Sequence, residues 1–308
     1  MTPAPGTARV APDVATHAAH TAAPTAAPTA ALTVAQALAA ATTLGVDRLD
    51  ASLLLGHQLQ RGRAWLIAHD DALLGAAEAQ AFAAACQRRV AGEPLAYLIG
   101  EQEFHGLRLQ VTPDVLVPRP DTETLVDWAL DLLRAPGWHA PAPRVLDLGT
   151  GSGAIGLAVA QRHPAAQVTA TDLSPAALAV AAGNARRLGL VVAWAEGSWW
   201  AAVAPGARFD LLLSNPPYIA GNDPHLPALR HEPTLALTPG GDGLGALRQI
   251  IAGAPAHLAP GGWLLLEHGW DQAAAVAALL QAAGFEAIGT RHDIAGRPRC
   301  TGGRWPPA

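Results

Sequence analysis

The stretch "RVLDLGTGSGAIG", residues 144–156, decides the fold. A short apolar run ends in glycines at 149, 151 and 153, and an apolar segment at helical spacing, "AIGLAVAQRHP", follows. Glycines there let the backbone turn sharply from strand into helix and let a ligand approach without meeting a Cβ. Working outward, the chain alternates: "QVTATD" strand, "PAALAVAAGNARRLG" helix, "VVAWAEG" strand, "FDLLLSN" strand, then the segment "ALRQIIAGAPAHLAPGG", the strand "WLLLEHG", a helix over "DQAAAVAALLQAAG" and a last strand or hairpin through "FEAIGTRHDIAGRPRCTGG". Such alternation predicts an α/β fold, a Rossmann-like parallel sheet with helices on both faces.

The segments before this body differ. Residues 1–30 repeat Ala, Pro and Thr without apolar periodicity and read as a disordered tail. "TVAQALAAATTLG", "VDRLDASLLLGHQL" and "AAEAQAFAAACQRRVAG" carry apolar residues at three- and four-residue spacing and predict a small helical domain over 31–95. "YLIGEQEFHGLRLQVTPDVLVPRP" has short β-rich runs split by glycines, which predicts a hairpin linker over 96–120. "DTETLVDWALDLLRA" then opens the domain spanning 121–308, with Asp121 or Thr122 as helix cap.

Composition excludes several classes. Of 308 residues 50% are hydrophobic and 15% charged, which affords a sizeable core. All twenty basic residues are Arg, and the net charge of −5 argues against a protein that lives on a phosphate backbone. Cys86 and Cys300 lie far apart and make neither a disulfide framework nor a metal site, and His105, His163, His231 and His268 show no ligand spacing, so no metal is expected. No apolar run reaches the ~18 residues of a membrane span, and no signal core stands at the N-terminus. The expectation is a cytoplasmic protein with no membrane and no direct nucleic-acid partner.

The glycine loop leaves two cofactors open. Gly151, Gly153 and Gly156 satisfy the dinucleotide pattern, and Asp172 ends the next strand where a ribose hydroxyl would bind, although "TDLSP" also reads as a helix cap. A dinucleotide would set its pyrophosphate on the helix N-terminus. S-adenosylmethionine has no phosphate and would place its amino-acid moiety near the loop.

"SNPPYI", residues 214–219, separates them by chemistry. It ends an apolar strand at the carboxyl edge of the sheet, where open α/β sheets bind ligands. Each proline fixes its φ and lacks an N–H, so Pro216 and Pro217 stiffen a rim of free carbonyl acceptors beside the Asn215 side chain. Such acceptors suit methylation of a planar nitrogen. An amide lone pair is delocalised, as the ~18–20 kcal/mol rotation barrier shows, so attack on a methyl group must sacrifice resonance. The Asn215 side chain and the Pro216 carbonyl can each accept one N–H, favour pyramidalisation and aim the nitrogen. Tyr218 offers a ring face worth roughly 0.5–2 kcal/mol to a cation, or it is a strand-end core aromatic.

These segments together resemble the release factor glutamine methyltransferases. The likeness spans nearly everything after the tail: "GEPLAYLIG", "LVPRPDTETLV", "DLGTGSGAIGLA", "ATDLSPAALAVAAGNARRLG", "GSWW", "FDLLLSNPPYI", "HEPTLAL", "GGDGL" and "DIAGRPR". It implies a seven-stranded methyltransferase domain joined by a β-hairpin to an N-terminal helical domain that docks the substrate. It also implies methyl transfer from S-adenosyl-L-methionine, leaving S-adenosyl-L-homocysteine, to the side-chain N5 of the Gln in the Gly-Gly-Gln motif of class-1 peptide chain release factors, by a monomeric enzyme. By position Gly149, Thr150, Gly151, Ser152 and Gly153 surround the methionine part of the cofactor, Asp172 takes the ribose, and Trp199, with Trp200 as rival, lies by the adenine. Asn215 contacts cofactor and substrate. Pro216, Pro217 and Tyr218 complete the substrate notch, with Asn215, Pro216 and Tyr218 catalytic. Glu232 and Pro233 match by resemblance and read as structural. The alternatives are a nucleic-acid amino-methyltransferase acting on adenine N6 or guanine N2 with the same chemistry, an inactive cofactor-binding scaffold, and, weaker, a dehydrogenase.

Overall fold

The computed structural model describes residues 31–136, 138 and 140–307, together with Met1; the expected tail, Met1 apart, lies outside the described residues. Five helices come first: α1 (Val34–Leu44), α2 (Arg48–Leu59), α3 (Arg63–Ala68), α4 (Ala76–Val90) and α5 (Leu95–Ile99). α1 starts on a capping box, in which Thr33 Oγ1 accepts the Gln36 N–H at 3.2 Å and Gln36 Oε1 accepts the Thr33 N–H at 2.9 Å. Val34, Leu55, Leu66 and Phe82 close a core of their own. The short helices α3 and α5 were not anticipated. α5 takes up the start of what read as the hairpin linker, because Pro94 introduces it and Gly100, at φ +80°, closes it. The hairpin itself is β1 (Glu101–Phe104) with β2 (Leu107–Gln110), antiparallel.

α6 (Glu123–Arg134) follows a single 3-10 turn over Pro120–Thr122. Here the expected cap fails: neither Asp121 nor Thr122 gives α6 a side-chain cap. Both side chains are drawn instead into a polar cluster, described below.

The main body comprises β3 (Arg144–Leu148), α7 (Ala154–Arg162), β4 (Gln167–Asp172), α8 (Pro175–Leu188), β5 (Ala193–Glu196), β6 (Phe209–Ser214), α9 (Thr234–Leu237), α10 (Gly245–Gly253), β7 (Leu258–Glu267), α11 (Ala273–Ala282), β8 (Glu286–His292) and β9 (Pro298–Arg304). The sheet order is β5-β4-β3-β6-β7-β9-β8. Strands β3 to β7 run parallel, and the β8/β9 hairpin adds two antiparallel strands at one edge.

Period-two alternation in the central strands serves two cores. Val145, Leu211, Leu213 and Leu265 face the layer holding α6 and α7. Leu146, Leu148, Leu212, Leu264 and Leu266 face α10 and α11, where Leu247, Ile250, Val276 and Leu280 are buried. The chain leaves β3 toward β4 and β5 on one side and later returns to β6 on the other, so the switch point lies between β3 and β6. The register aligns Leu148 with both Thr171 and Ser214, and Ser214 with Leu266. The carboxyl ends of four strands therefore lie level, and Asn215 emerges beside Glu267.

Candidate active site

At that edge lies a cavity of about 420 Å³. The loop after β3 supplies its floor: Gly149, Thr150, Gly151 and Ser152 line it, whereas Gly153 does not. The glycines differ in purpose. Gly151 is left-handed at φ +56°, and a Cβ there would meet nothing, so its demand is conformational. Gly153 is left-handed as well, at φ +87°, and a Cβ there would stand 2.8 Å from Leu157 Cδ1 and 3.2 Å from Ala181 Cβ, so conformation and packing both ask for glycine.

Asp172 lines the cavity and ties it together. Its Oδ2 accepts the Gly151 N–H at 2.9 Å and its Oδ1 the Ser174 N–H at 2.9 Å. The cap of α8 proper is Ser174, whose Oγ accepts the Ala177 N–H at 3.2 Å. Meanwhile the Gly149 and Thr150 N–H groups both donate to the Thr171 carbonyl, and Gly153 N–H to that of Thr150. Four N–H groups of the loop are thus engaged within the fold, which leaves it poorly suited to cradle a pyrophosphate. Arg119 is the one cation among the lining residues. The cavity fits a nucleoside without phosphates, with the Asp172 oxygens placed for hydroxyl donors and the Trp199 ring as a flat apolar wall.

The doubled tryptophan divides. Trp199 lines the cavity from a left-handed backbone, φ +45°, unusual for a bulky residue, and a Cβ on Gly149 would lie 3.3 Å from its ring. Trp200 turns away, stacking on His257 at 4.8 Å between centroids while its Nε1–H donates to the Gln249 carbonyl at 3.1 Å. Of the two rings, only that of Trp199 is available to a ligand.

At the rim, Asn215 Nδ2 donates to Thr122 Oγ1 at 3.2 Å, and both residues line the cavity. Among the described residues nothing donates to Asn215 Oδ1 or to the Pro216 carbonyl. Pro217 lines the cavity; Pro216 is buried and Tyr218 is partly buried against the second core, both outside the lining. The Tyr218 hydroxyl donates to Glu267 Oε1 at 3.1 Å, and its carbonyl accepts from Gln272 Nε2 at 3.0 Å. Burial, reinforced by the Glu267 charge, holds its phenol protonated well above the usual range.

Sequence reasoning gave no weight to two buried acids. Glu267 ends β7 and is 1% exposed; burial pushes its pKa up to about 7, while Thr122, Tyr218 and the Arg299 charge stabilise the anion and Asp121 opposes it. Its Oε2 is buried with no hydrogen-bond partner among the described residues. Asp147 accepts from Thr150 Oγ1 at 2.6 Å and the Gly156 N–H at 3.0 Å, and burial raises it to about 6. An acid inside or ending an otherwise apolar strand was the available signal for both. Below them Arg299, from "DIAGRPR", bridges Asp121 at 3.0 Å and Asp293 at 3.1 Å.

Glu232 is buried. Its Oε2 accepts the Val117 N–H at 3.1 Å and its Oε1 the Arg119 guanidinium, so it clasps the linker segment to the cavity wall as a structural group. Arg230 and His231 beside it both reach the Ala91 carbonyl at the end of α4.

Known proteins share this arrangement in sequence. A family model described as PrmC N-terminal domain matches residues 30–100, and one described as Methyltransferase small domain matches residues 126–269. The release factor glutamine methyltransferase of Xylella fastidiosa strain Temecula1 is 54% identical over 272 residues, covering 87% of this chain and 97% of that protein. That of Bordetella pertussis is 54% identical over 261 residues, covering 84% and 95%. The chain belongs to the release factor glutamine methyltransferase family. A solved structure of the human methyltransferase 10 domain containing protein superposes with TM-score 0.50 at 18% identity, covering 66% of this chain and 89% of that one, and bears on the fold alone. The sheet and its helices are accordingly a class I, S-adenosylmethionine-dependent methyltransferase domain carrying the N-terminal domain of the release factor glutamine methyltransferases. Among the described residues no helix is long and apolar enough to cross a membrane.

Proposed function

We propose that the chain methylates the side-chain amide nitrogen of the glutamine in the Gly-Gly-Gln motif of class-1 release factors. The observation that carries this reading is the uncommitted acceptor Asn215 Oδ1 on a cavity-lining residue, followed in sequence by the uncommitted carbonyl of the buried Pro216, beside a glycine loop whose N–H groups are already engaged within the fold. S-adenosyl-L-methionine, when bound, supplies an electrophilic sulfonium methyl and is left as S-adenosyl-L-homocysteine.

Gly149 to Ser152 would hold its methionine part, Asp172 its ribose and Trp199 its adenine. Asn215 Oδ1 and the Pro216 carbonyl each take one hydrogen of the carboxamide NH₂. Two fixed acceptors out of the amide plane favour a pyramidal nitrogen whose lone pair is released from resonance and aimed into the cavity. Both acceptors are preorganised: Thr122 holds the Asn215 side chain, and Pro217 restricts the backbone of Pro216. The proton lost from nitrogen leaves after the methyl arrives, when that nitrogen is strongly acidic, so no base is needed beforehand. Tyr218, with its hydroxyl committed to Glu267, serves by fixing the rim.

The helical segment 31–95 is the docking element of this reading, joined to the 121–308 domain through 96–120. Action as a monomer, and in the cytoplasm where release factors work, belongs to the same reading. The test is mass spectrometry of the Gly-Gly-Gln peptide after release factor is incubated with the protein and S-adenosylmethionine. One added methyl on the glutamine supports the reading. Label appearing only on RNA or DNA in parallel incubations would replace it with base-amine methylation.

A further inference from the structure

We infer that Arg119 is a cofactor-binding residue: its guanidinium receives the carboxylate at the methionine end of S-adenosylmethionine. The inference rests on the cofactor reading above and goes beyond the roles given there to the glycine loop, Asp172 and Trp199.

The backbone sets Arg119 at the cavity wall before any ligand arrives. It stands between Pro118 and Pro120 in "LVPRPDTE", and a residue preceding proline is pushed out of the helical region. Arg119 is accordingly extended, at φ −102° and ψ 144°, and its carbonyl accepts the Thr122 N–H at 3.1 Å to close the 3-10 turn. Thr122 Oγ1 in turn accepts from Asn215 Nδ2 at 3.2 Å, which ties this turn to the end of β6.

The buried Glu232 then holds the side chain. Its Oε1 accepts from Arg119 Nη2 and its Oε2 from the Val117 N–H at 3.1 Å. A guanidinium carries five N–H donors. Among the described residues nothing accepts from Arg119 Nε or Nη1. The side chain lines the cavity and is 38% exposed, so those donors are within reach of what enters.

Charge decides what that group is. Asp114 and Asp172 are the two acids among the lining residues, and Arg119 is the one cation. A carboxylate entering here meets two like charges, and stripping its water is costly unless a cation with N–H donors pairs it. The glycine loop gives little help, since the N–H groups of Gly149, Thr150, Gly151 and Gly153 are bonded within the fold. Sheet order then places the parts of the cofactor. Trp199 follows β5, Asp172 ends β4 and the loop follows β3, so adenine, ribose and methionine run in that order toward β6. The carboxylate ends the row on the side where the turn carrying Arg119 is bonded to Asn215.

Calorimetry on the full chain tests this with two ligands, S-adenosylhomocysteine and the analogue in which hydrogen replaces its carboxylate. Wild type should bind S-adenosylhomocysteine at least about tenfold more tightly than the analogue. Arg119→Met should weaken S-adenosylhomocysteine at least about tenfold and the analogue less than about twofold. Equal losses for both ligands would mean that the arginine only shapes the cavity, and would overturn the inference. So would a Kd for S-adenosylhomocysteine within about twofold of wild type; a raised KM for release factor at that unchanged Kd would assign Arg119 to the protein substrate instead. Wild type binding neither ligand would overturn the cofactor reading and this inference with it. Should Arg119→Met fail to fold because Glu232 is left as a buried unpaired charge, the double variant Arg119→Met/Glu232→Gln keeps an acceptor for the Val117 N–H without that charge, and the same two ligands decide on it.

Discussion

Asp172 Oδ2 lies 2.9 Å from the Gly151 amide nitrogen, so the acid ending β4 clamps the glycine loop that follows β3. The same carboxylate holds the Ser174 N–H at the start of α8. One side chain therefore fixes two loops around the cavity and still has a lone pair on each oxygen for a ribose diol. Asp172→Ala should weaken S-adenosylhomocysteine binding at least tenfold in calorimetry and also cost about 1–2 kcal/mol of stability, through two backbone donors left without partners. A normal dissociation constant would remove its ribose role.

The split of the tryptophan pair gives a contrast. Trp199→Ala should lower cofactor affinity by about 1–3 kcal/mol, the range for loss of an aromatic stacked on a base. Trp200→Ala should leave affinity unchanged and lower the thermal midpoint, since that ring stacks on His257 and bonds to Gln249. Equal affinity losses in both would contradict the assignment.

Asn215→Ala should reduce turnover about 10²–10³-fold, by analogy with removing one preorganised hydrogen-bonding group from a transition-state site, with circular dichroism and melting unchanged. Loss of folding would make Asn215 a structural residue.

Glu267 also makes stability depend on pH. Its folded value, about 7, stands above the ordinary carboxylate range, so the fold favours the protonated form. The stability it contributes is present below pH ~4.5 and is lost as pH rises through about 7. Asp147, at about 6, acts in the same direction at slightly lower pH. Glu267→Gln should therefore gain on wild type in denaturant melts between pH 6 and 8, by at most on the order of 3 kcal/mol. A constant difference across that range would refute the titration.

How much of this was legible in the sequence varies with the range of the interactions involved. The alternation of "RVLDL", "QVTATD" and "FDLLLS" with apolar helices gave the parallel sheet, because burial on both faces imposes apolar residues along every central strand. The glycine loop and the two prolines after Asn215 were equally plain, since backbone conformation is dictated locally. α5 was missed because five residues carry too little periodicity to compete with a β-rich reading.

The sequence by itself thus determined the layers, the edge of the sheet that carries the cavity and the stiff Asn-Pro-Pro-Tyr segment that ends β6 there. Tertiary structure alone decided which of Trp199 and Trp200 enters the cavity, that Asp121 and Thr122 leave their helix for Arg299 and Asn215, and that Glu267 comes to lie beside Asn215. Those outcomes depend on strand register and on contacts between segments up to 178 residues apart, such as Asp121 with Arg299, which no local pattern encodes.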